Sequence, residues 1–474
     1  MLDGRNLEIV LTAANSAAQA WYGYDQGVVS GILISPDFIN VFPQTKVSSI
    51  QGITASCFSL GNLVGCLLAA CYGNRLGRKN TLRTGSIISA IGAVLQFSSY
   101  SFAQLIVGRV INGVGNGCSF LPGGYQWRLP LALQLVPCMC LLSLLPLIPD
   151  SPRWLLMTGR TEQGLESIRR YAGERLAVED PIVQSEYHSI VGALCIERES
   201  QISFTQVIAR RDRSGHLRRM LLGCGGQFMQ QFSGINALNY YFTIILINNV
   251  GETELLARIL TGCNATSYMV SSAMAFWLIE RSGRRMLMLS GLSLQCLAYV
   301  MVAISIALLN QAPFQWGVVA VSFLFFFYAV FGFSWGMAPW VYQAEINSLA
   351  MRTQGAAAAT ATNWLCGFIC TQFTPTGIQN IGYRFYIIFA VFNIAFIPVV
   401  YFLYPETAYR TLEDLDVYFD RDSPHPTIIP INDKVAKQCK RPLEAIEAEA
   451  NRVAATKAID LKVGTSEHVE DVDV

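Results

Sequence analysis

The chain has 474 residues, of which 52% are hydrophobic and only 14% charged, with 34 Lys and Arg against 33 Asp and Glu. Soluble globular domains carry about 25% charged residues, so a charge-poor chain of this length reads as an integral membrane protein. The net charge of +1, and the lack of any basic cluster with interleaved aromatics, exclude a strongly basic nucleic-acid binder.

In chain order, apolar runs long enough to cross a bilayer fall at roughly 9–31, 52–72, 84–100, 102–121, 129–149, 220–247, 256–279, 286–309, 316–341, 355–376 and 384–404. That is eleven spans. Met1–Glu8 is too short and polar for a cleavable signal. Arg75, Arg78, Lys79 and Arg83 follow the second span, eleven Arg lie within 150–219, and Arg281, Arg284 and Arg285 precede the eighth span. The stretch 32–51 holds only Lys46, and 310–315 holds no cation. Positive loops stay in the cytosol, so these Arg-rich loops and the N-terminus are expected inside. Within the connector 150–219, TEQGLESIRRYAGERL has the period of an amphipathic surface helix. The tail after Tyr404 is polar; LEAIEAEANRVAATKAI reads as helical and SEHVEDVDV as disordered. The expected units are therefore an N-terminal bundle at 1–149, a connector at 150–219, a C-terminal bundle at 220–404 and a tail at 405–474.

Two pairs of landmarks expose an internal repeat. NRLGRKN (74–80) is similar to ERSGRRM (280–286), and PDSPRWL (149–155) to PETAYRTL (405–412). Gly77 and Gly283 are 206 residues apart, whereas Pro149 and Pro405 are 256 apart. The first half is thus 50 residues shorter between its landmarks, and it holds three spans where the second holds four. The second half also has AEINSLAMRTQG (344–355), which finds no counterpart in the first. The deficit falls in NGVGNGCSFLPGGYQWRLPLALQ (112–134). With four spans ending inside at Pro122, a fifth would put the eleven Arg outside, against the charge rule. An extended re-crossing from Gly117 to Leu129 would reach about 40 Å, but only with its backbone covered by protein or water.

The chain resembles the sugar transporters of the major facilitator superfamily, nearest to fungal monosaccharide and polyol carriers. The resemblance runs from about Asn15 to Phe419. It rests on GYDQGVVSGI (23–32), GNRLGRK (73–79), GRVINGVGNG (108–117), PDSPRWL, QQFSGINALNYY (230–241), ERSGRR (280–285), GMAPWVYQAEI (336–346) with Arg352, and PETAYRTLEDLD (405–416). It implies an all-α fold of two helix bundles around a central site, here with eleven spans in place of twelve. The family's loop with Glu and Arg-Gly after span four, and a fifth span with a sugar-binding Gln, have no match. An omitted segment is the favoured reading of that deficit. The family's usual Asp and Pro are replaced by Asn74 and Ser348.

A sugar hydroxyl both donates and accepts, so a site for it needs amides and aromatic faces. Gln230, Gln231 and Asn236 can face one cavity if the helix is interrupted near Gly234, and Tyr240 shares a face with Asn236. The competing reading is that these amides only join helix to helix. The resemblance implies that Gly336, Trp340, Asn363, Trp364 and Tyr22 line the same pocket; as plain chemistry, aromatics there also fill cores. Asp25, midway along an apolar span, is costly unless paired or neutralised. In proton-coupled relatives the residues matching Asp25 and Arg109 pair, and protonation of the Asp releases the Arg. A fixed structural ion pair is the alternative. Arg78, Glu280, Arg281, Arg284, Glu345 and Arg352 are expected to close the cytosolic side by inter-helix charge contacts. GVGNG (113–117) lacks the strand–turn–helix setting of a dinucleotide site, and its glycines fit close helix packing instead. Asn264-Ala-Thr266 falls in a span, out of reach of glycosylation. Most of the 13 Cys lie in apolar runs, and neither a metal nor a cofactor is expected. The function expected is proton-coupled symport of a small sugar or polyol at the plasma membrane. The alternatives are a non-transporting sugar sensor and a defective carrier.

Overall fold

The computed structural model describes residues 9–10, 32–33, 35–76, 78–118, 143, 148–172, 177–199, 215–348, 351–420, 428–430 and 434–437. Among them every regular element is a helix. The first half shows α1 (Pro36–Val41), α2 (Ser48–Leu76), α3 (Arg78–Phe97) and α4 (Phe102–Cys118). The connector holds α5 (Pro152–Met157), α6 (Thr161–Ala172) and α7 (Pro181–Glu199). The second half holds α8 (His216–Phe232), α9 (Ile235–Ile245), α10 (Glu254–Ser282), α11 (Arg284–Leu308), α12 (Pro313–Phe333), α13 (Ala338–Ile346), α14 (Arg352–Ile381) and α15 (Arg384–Leu403). A short α16 (Leu412–Phe419) follows.

Nine of the eleven expected spans coincide with described helices. The expected spans 9–31 and 129–149, the re-crossing at 119–128 and the tail helix and acidic end fall almost wholly outside the described residues. By length and composition, the stretches Ser48–Ala69, Arg284–Leu308, Pro313–Ile346 and Arg384–Leu403 satisfy the requirement for crossing a bilayer. Their outward residues, such as Met286, Val318 and Val391, are apolar and exposed, as a surface solvated by lipid requires.

Glycine fixes the breaks and the closest approaches. Gly234, at φ 97°, separates α8 from α9, in a left-handed conformation that other residues seldom adopt. Gly113 on α4 sits against the Phe58 carbonyl of α2, and a Cβ there has no room. This is the packing role expected of the Gly-rich run. The halves meet where α2 and α14 run antiparallel. Ser56 Oγ donates to Gln372 Oε1 at 2.7 Å, and Ser48 bonds Gln379 one end further along. Toward the other end Cys66 reaches the Ala357 carbonyl.

The second half is packed around aromatic rings. Tyr299 of α11 stacks on Phe389 of α15 at 5.5 Å, and Phe327 of α12 closes on Tyr299 at 4.7 Å. The connector helix α6 matches the expected amphipathic stretch as far as Ala172. Asn264 is buried within α10, so the Asn-Ala-Thr pattern is inaccessible there. Beyond α16 the chain returns to the end of α15. The Glu406 N–H donates to the Ala436 carbonyl at 2.8 Å and the Ile429 N–H to the Phe402 carbonyl at 2.7 Å. Lys437 Nζ lies 4.5 Å over the Tyr401 ring.

Candidate functional site

The break at Gly234 gathers amides from α8, α9, α13 and α14. Gln230 Nε2 donates to the Trp335 carbonyl at 2.7 Å, so the side chain of α8 caps the backbone freed where α12 gives way to α13. Asn363 Nδ2 of α14 donates to Gln230 Oε1 at 2.8 Å and to Gln227 Oε1 at 2.6 Å. Gln227 Nε2 in turn donates to Gln343 Oε1 of α13 at 2.9 Å. Across the break, Asn236 Nδ2 donates to Gln231 Oε1 at 2.6 Å. All six side chains are buried. Inside a protein such chains strengthen each bond and raise the cost of breaking any one. The expected set Gln230, Gln231, Asn236 and Asn363 is thus brought together.

Three contributors went unseen in the sequence. Gln227 and Gln343 join the network through partners 116 and 136 residues away. Gly367 lies one helical turn after Asn363, and a Cβ there would be 2.9 Å from Asn236 Nδ2; that i, i+4 spacing was the available signal.

The aromatics divide. Tyr240 and Trp364 are buried and Trp340 is half-buried. Trp335, not among the expected residues, is fully buried, and its indole N–H donates to the Met288 carbonyl at 2.9 Å. Gly336 lets the chain turn tightly: its N–H reaches the Phe331 carbonyl at 2.7 Å, and an added Cβ would lie 3.1 Å from the Gly332 carbonyl. Tyr22 and Asp25 lie outside the described residues. Arg109 on α4 is 3% exposed, with its guanidinium carbon 5.8 Å from the centre of the Phe58 ring. A guanidinium held this far from water beside an aromatic face gains from the ring quadrupole.

The Arg-rich end holds a second constellation. Arg284 engages Glu345 with two hydrogen bonds, Nη2 to Oε1 at 2.6 Å and Nε to Oε2 at 3.1 Å. This fork-to-carboxylate geometry is directional as well as strong. Thr407 Oγ1 adds a bond to Glu345 Oε2 at 2.6 Å. Glu406 is 1% exposed and accepts from four backbone N–H groups, those of Arg284, Arg285, Thr407 and Ala408. Two of these are at the start of α11, where a carboxylate is favoured by the helix dipole. Arg352 Nε bonds the Ala344 carbonyl at 3.2 Å. Arg281 lies over the Trp277 ring at 4.8 Å, and Glu280 is exposed; neither is drawn into this cluster. The side chain of Arg78 is outside the described residues. The roles of Glu406 and of the Arg219–Asp416 pair were missed, although PETAYRTLEDLD contains both acids. Ser348 bonds His216 Nδ1 at 3.1 Å.

The chain matches the family described as "Sugar (and other) transporter" over residues 10–121 and, as a separate piece, 122–419. It is 37% identical to the MFS-type transporter oryC of Aspergillus oryzae, covering 99% of this chain and 96% of that one. It is 33% identical to the sugar transporter STL1 of Saccharomyces cerevisiae, covering 88% and 82%. Among solved structures, the proton:xylose symporter XylE bound to 6-bromo-6-deoxy-D-glucose has the same fold, with a TM-score of 0.70, 21% identity and coverage of 87% of this chain and 98% of that one. The chain therefore belongs to the sugar transporters of the major facilitator superfamily and is a multi-pass integral membrane protein.

Proposed function

We propose that the protein moves a small sugar or polyol across the membrane by alternating access, coupled to protons. The observation that carries this reading is the buried amide network at the Gly234 break. Its donors and acceptors match a polyhydroxylated solute, and polar groups are retained inside a membrane where they line a pathway. Gln230, Gln231, Asn236 and Asn363 bind hydroxyls in this reading. Trp340, Trp364, Tyr240 and Tyr22 bound the pocket, and Gly336 shapes its wall. Arg109 is the proton-linked cation, with Asp25 as its acid. Arg284 and Glu345, with Arg352, hold the cytosolic side shut between cycles. In cells lacking endogenous carriers, uptake of labelled sugar should be saturable and abolished by a protonophore. Uptake that survives the protonophore would leave facilitated diffusion.

A second reading concerns the chain itself. We infer that a segment of about 50 residues is missing between Leu121 and Pro122, so that the sequence as it stands is an incomplete carrier. The repeat deficit supports it. So does the division of the family match at that junction. The alignment with the A. oryzae transporter spans 522 positions against a chain of 474 residues, so at least 48 positions are gaps in this chain. Sequencing of cDNA across codons 112–134 tests it. Extra codons for a Glu and Arg-Gly loop and a Gln-bearing span would restore twelve spans. An unchanged junction would count against the omission and favour weak or absent uptake.

A further inference from the structure

We propose that Gln343 is a positioning residue that orients the sugar-binding amides and ties their occupation to the cytosolic gate; this rests on the carrier reading above. The short helix α13 carries Trp340 at the pocket, Gln343 in the amide network and Glu345 at the gate. Five residues of helix separate the first from the last, about 7.5 Å along the axis. Gln343 is 6% exposed, and the Asn347 side chain donates to its backbone carbonyl at 2.7 Å, which anchors the residue.

The direction of each bond explains the role. Asn363 Nδ2 has two hydrogens, and both are used, one on Gln230 Oε1 and one on Gln227 Oε1. The orientation in which Gln227 offers its oxygen to Asn363 is favoured because its NH₂ end then meets an acceptor elsewhere. That acceptor is Gln343 Oε1. Without it the Gln227 amide is free to turn, and donor would then face donor at Asn363. Among the described residues Gln343 makes no hydrogen bond to Asn363 or Gln230, yet it decides which atoms they present. The same bond works in reverse. A sugar hydroxyl that draws Asn363 Nδ2 away weakens the hold of Gln227 on Gln343. α13 is then less restrained, and with it Glu345, the carboxylate bound by Arg284. Binding thereby favours release of the gate, as a ligand must if it is to shift a conformational equilibrium.

The role of Gln343 is that of an acceptor, which a Glu side chain retains and a Leu side chain lacks. The test compares wild type, Gln343→Leu and Gln343→Glu in the full chain. It measures uptake of D-glucose, D-xylose and glycerol in carrier-deficient cells, and the shift of the unfolding midpoint of purified protein by the same solutes. Gln343→Leu should raise KM about tenfold and also lower the maximal rate, whereas Gln343→Glu should stay within about threefold of wild type. A Leu variant with wild-type KM and maximal rate overturns the proposal. So does a Glu variant as impaired as Leu, since a retained acceptor would then not preserve the function. If wild type takes up none of the solutes, the carrier reading fails for the chain as it stands. The proposal is then judged on the midpoint shift, which Leu should lose and Glu keep. A wild-type chain that shows neither uptake nor a shift overturns both.

Discussion

Two buried polar clusters flank the broken helix at Gly234, and they are built on opposite terms. On one side, Gln227, Gln230, Asn363 and Gln343 hold each other with directed bonds. On the other, α11 and α15 pack antiparallel: Arg285 binds the Tyr401 carbonyl, Cys296 the Ala390 carbonyl, and Tyr299 stacks on Phe389. That register sets Gln295 level with Asn393. Gln295 is fully buried, and neither end of its amide has a hydrogen-bond partner among the described residues. Asn393 donates to the Ser233 and Phe389 carbonyls, while its own oxygen has no partner among the described residues. The difference teaches that buried polarity alone does not mark a site. A ring of satisfied amides is a preorganised surface. An unsatisfied one is a cost of about 1–3 kcal/mol per group.

The largest test of this contrast is Gly234→Ala, which strikes the break the two clusters share. The new methyl would need a strained φ and would collide with the Tyr299 hydroxyl and the Phe389 ring. We predict a loss of about 3 kcal/mol or more, read as little folded protein after detergent extraction; a normal yield refutes it. Next is Asn363→Leu, which leaves Gln227 Oε1 and Gln230 Oε1 without their shared donor. Sugar uptake should fall about a hundredfold or more in kcat/KM, and retention of more than half the wild-type rate would show that the ring is not the site. Gly367→Ala places a methyl 2.9 Å from Asn236 Nδ2. A flexible amide can yield by a few tenths of an ångström, so KM should rise about tenfold at an unchanged melting point. The smallest and most telling variant is Gln295→Leu. It swaps an unbonded amide for an apolar group of similar size and should raise stability by about 1–2 kcal/mol, measured as a higher melting temperature. A lower one would mean that Gln295 has a partner in the native membrane.

Much of this was legible in the sequence, for reasons that residues make plain. The helix break could be read at QQFSGIN because Gly234 stands among amides in an apolar run. Arg284 and Glu345 belong to the six charged residues expected to make inter-helix contacts, and these two meet in the structure. The structure brings together Gln230, Gln231, Asn236 and Asn363, whereas Glu280 and Arg281 remain apart from the Arg284–Glu345 pair. What could not be read is pairing across helices distant in the chain. Nothing near Gln343 marks it as the partner of Gln227, because the crossing of α8 and α13 is set by packing around Pro339 and Tyr404 rather than by local pattern. Trp335 was overlooked beside Trp340 because both are indoles in one run, and only the chain's turn at Ser334 sends the first inward.

The return of the tail onto α15 bears on the order in which the molecule can be completed during synthesis. The carbonyl of Ala436 accepts from the Glu406 N–H, and the Ile429 N–H donates to the Phe402 carbonyl. These partners leave the ribosome after every helix of the second half has been made. A nascent chain halted at residue 420 would carry α8 to α16, yet its Glu406 N–H and Phe402 carbonyl would face water instead of protein. The inner end of the second half is therefore finished last, and a fluorescent tag should be joined after Lys437 rather than before Ile429.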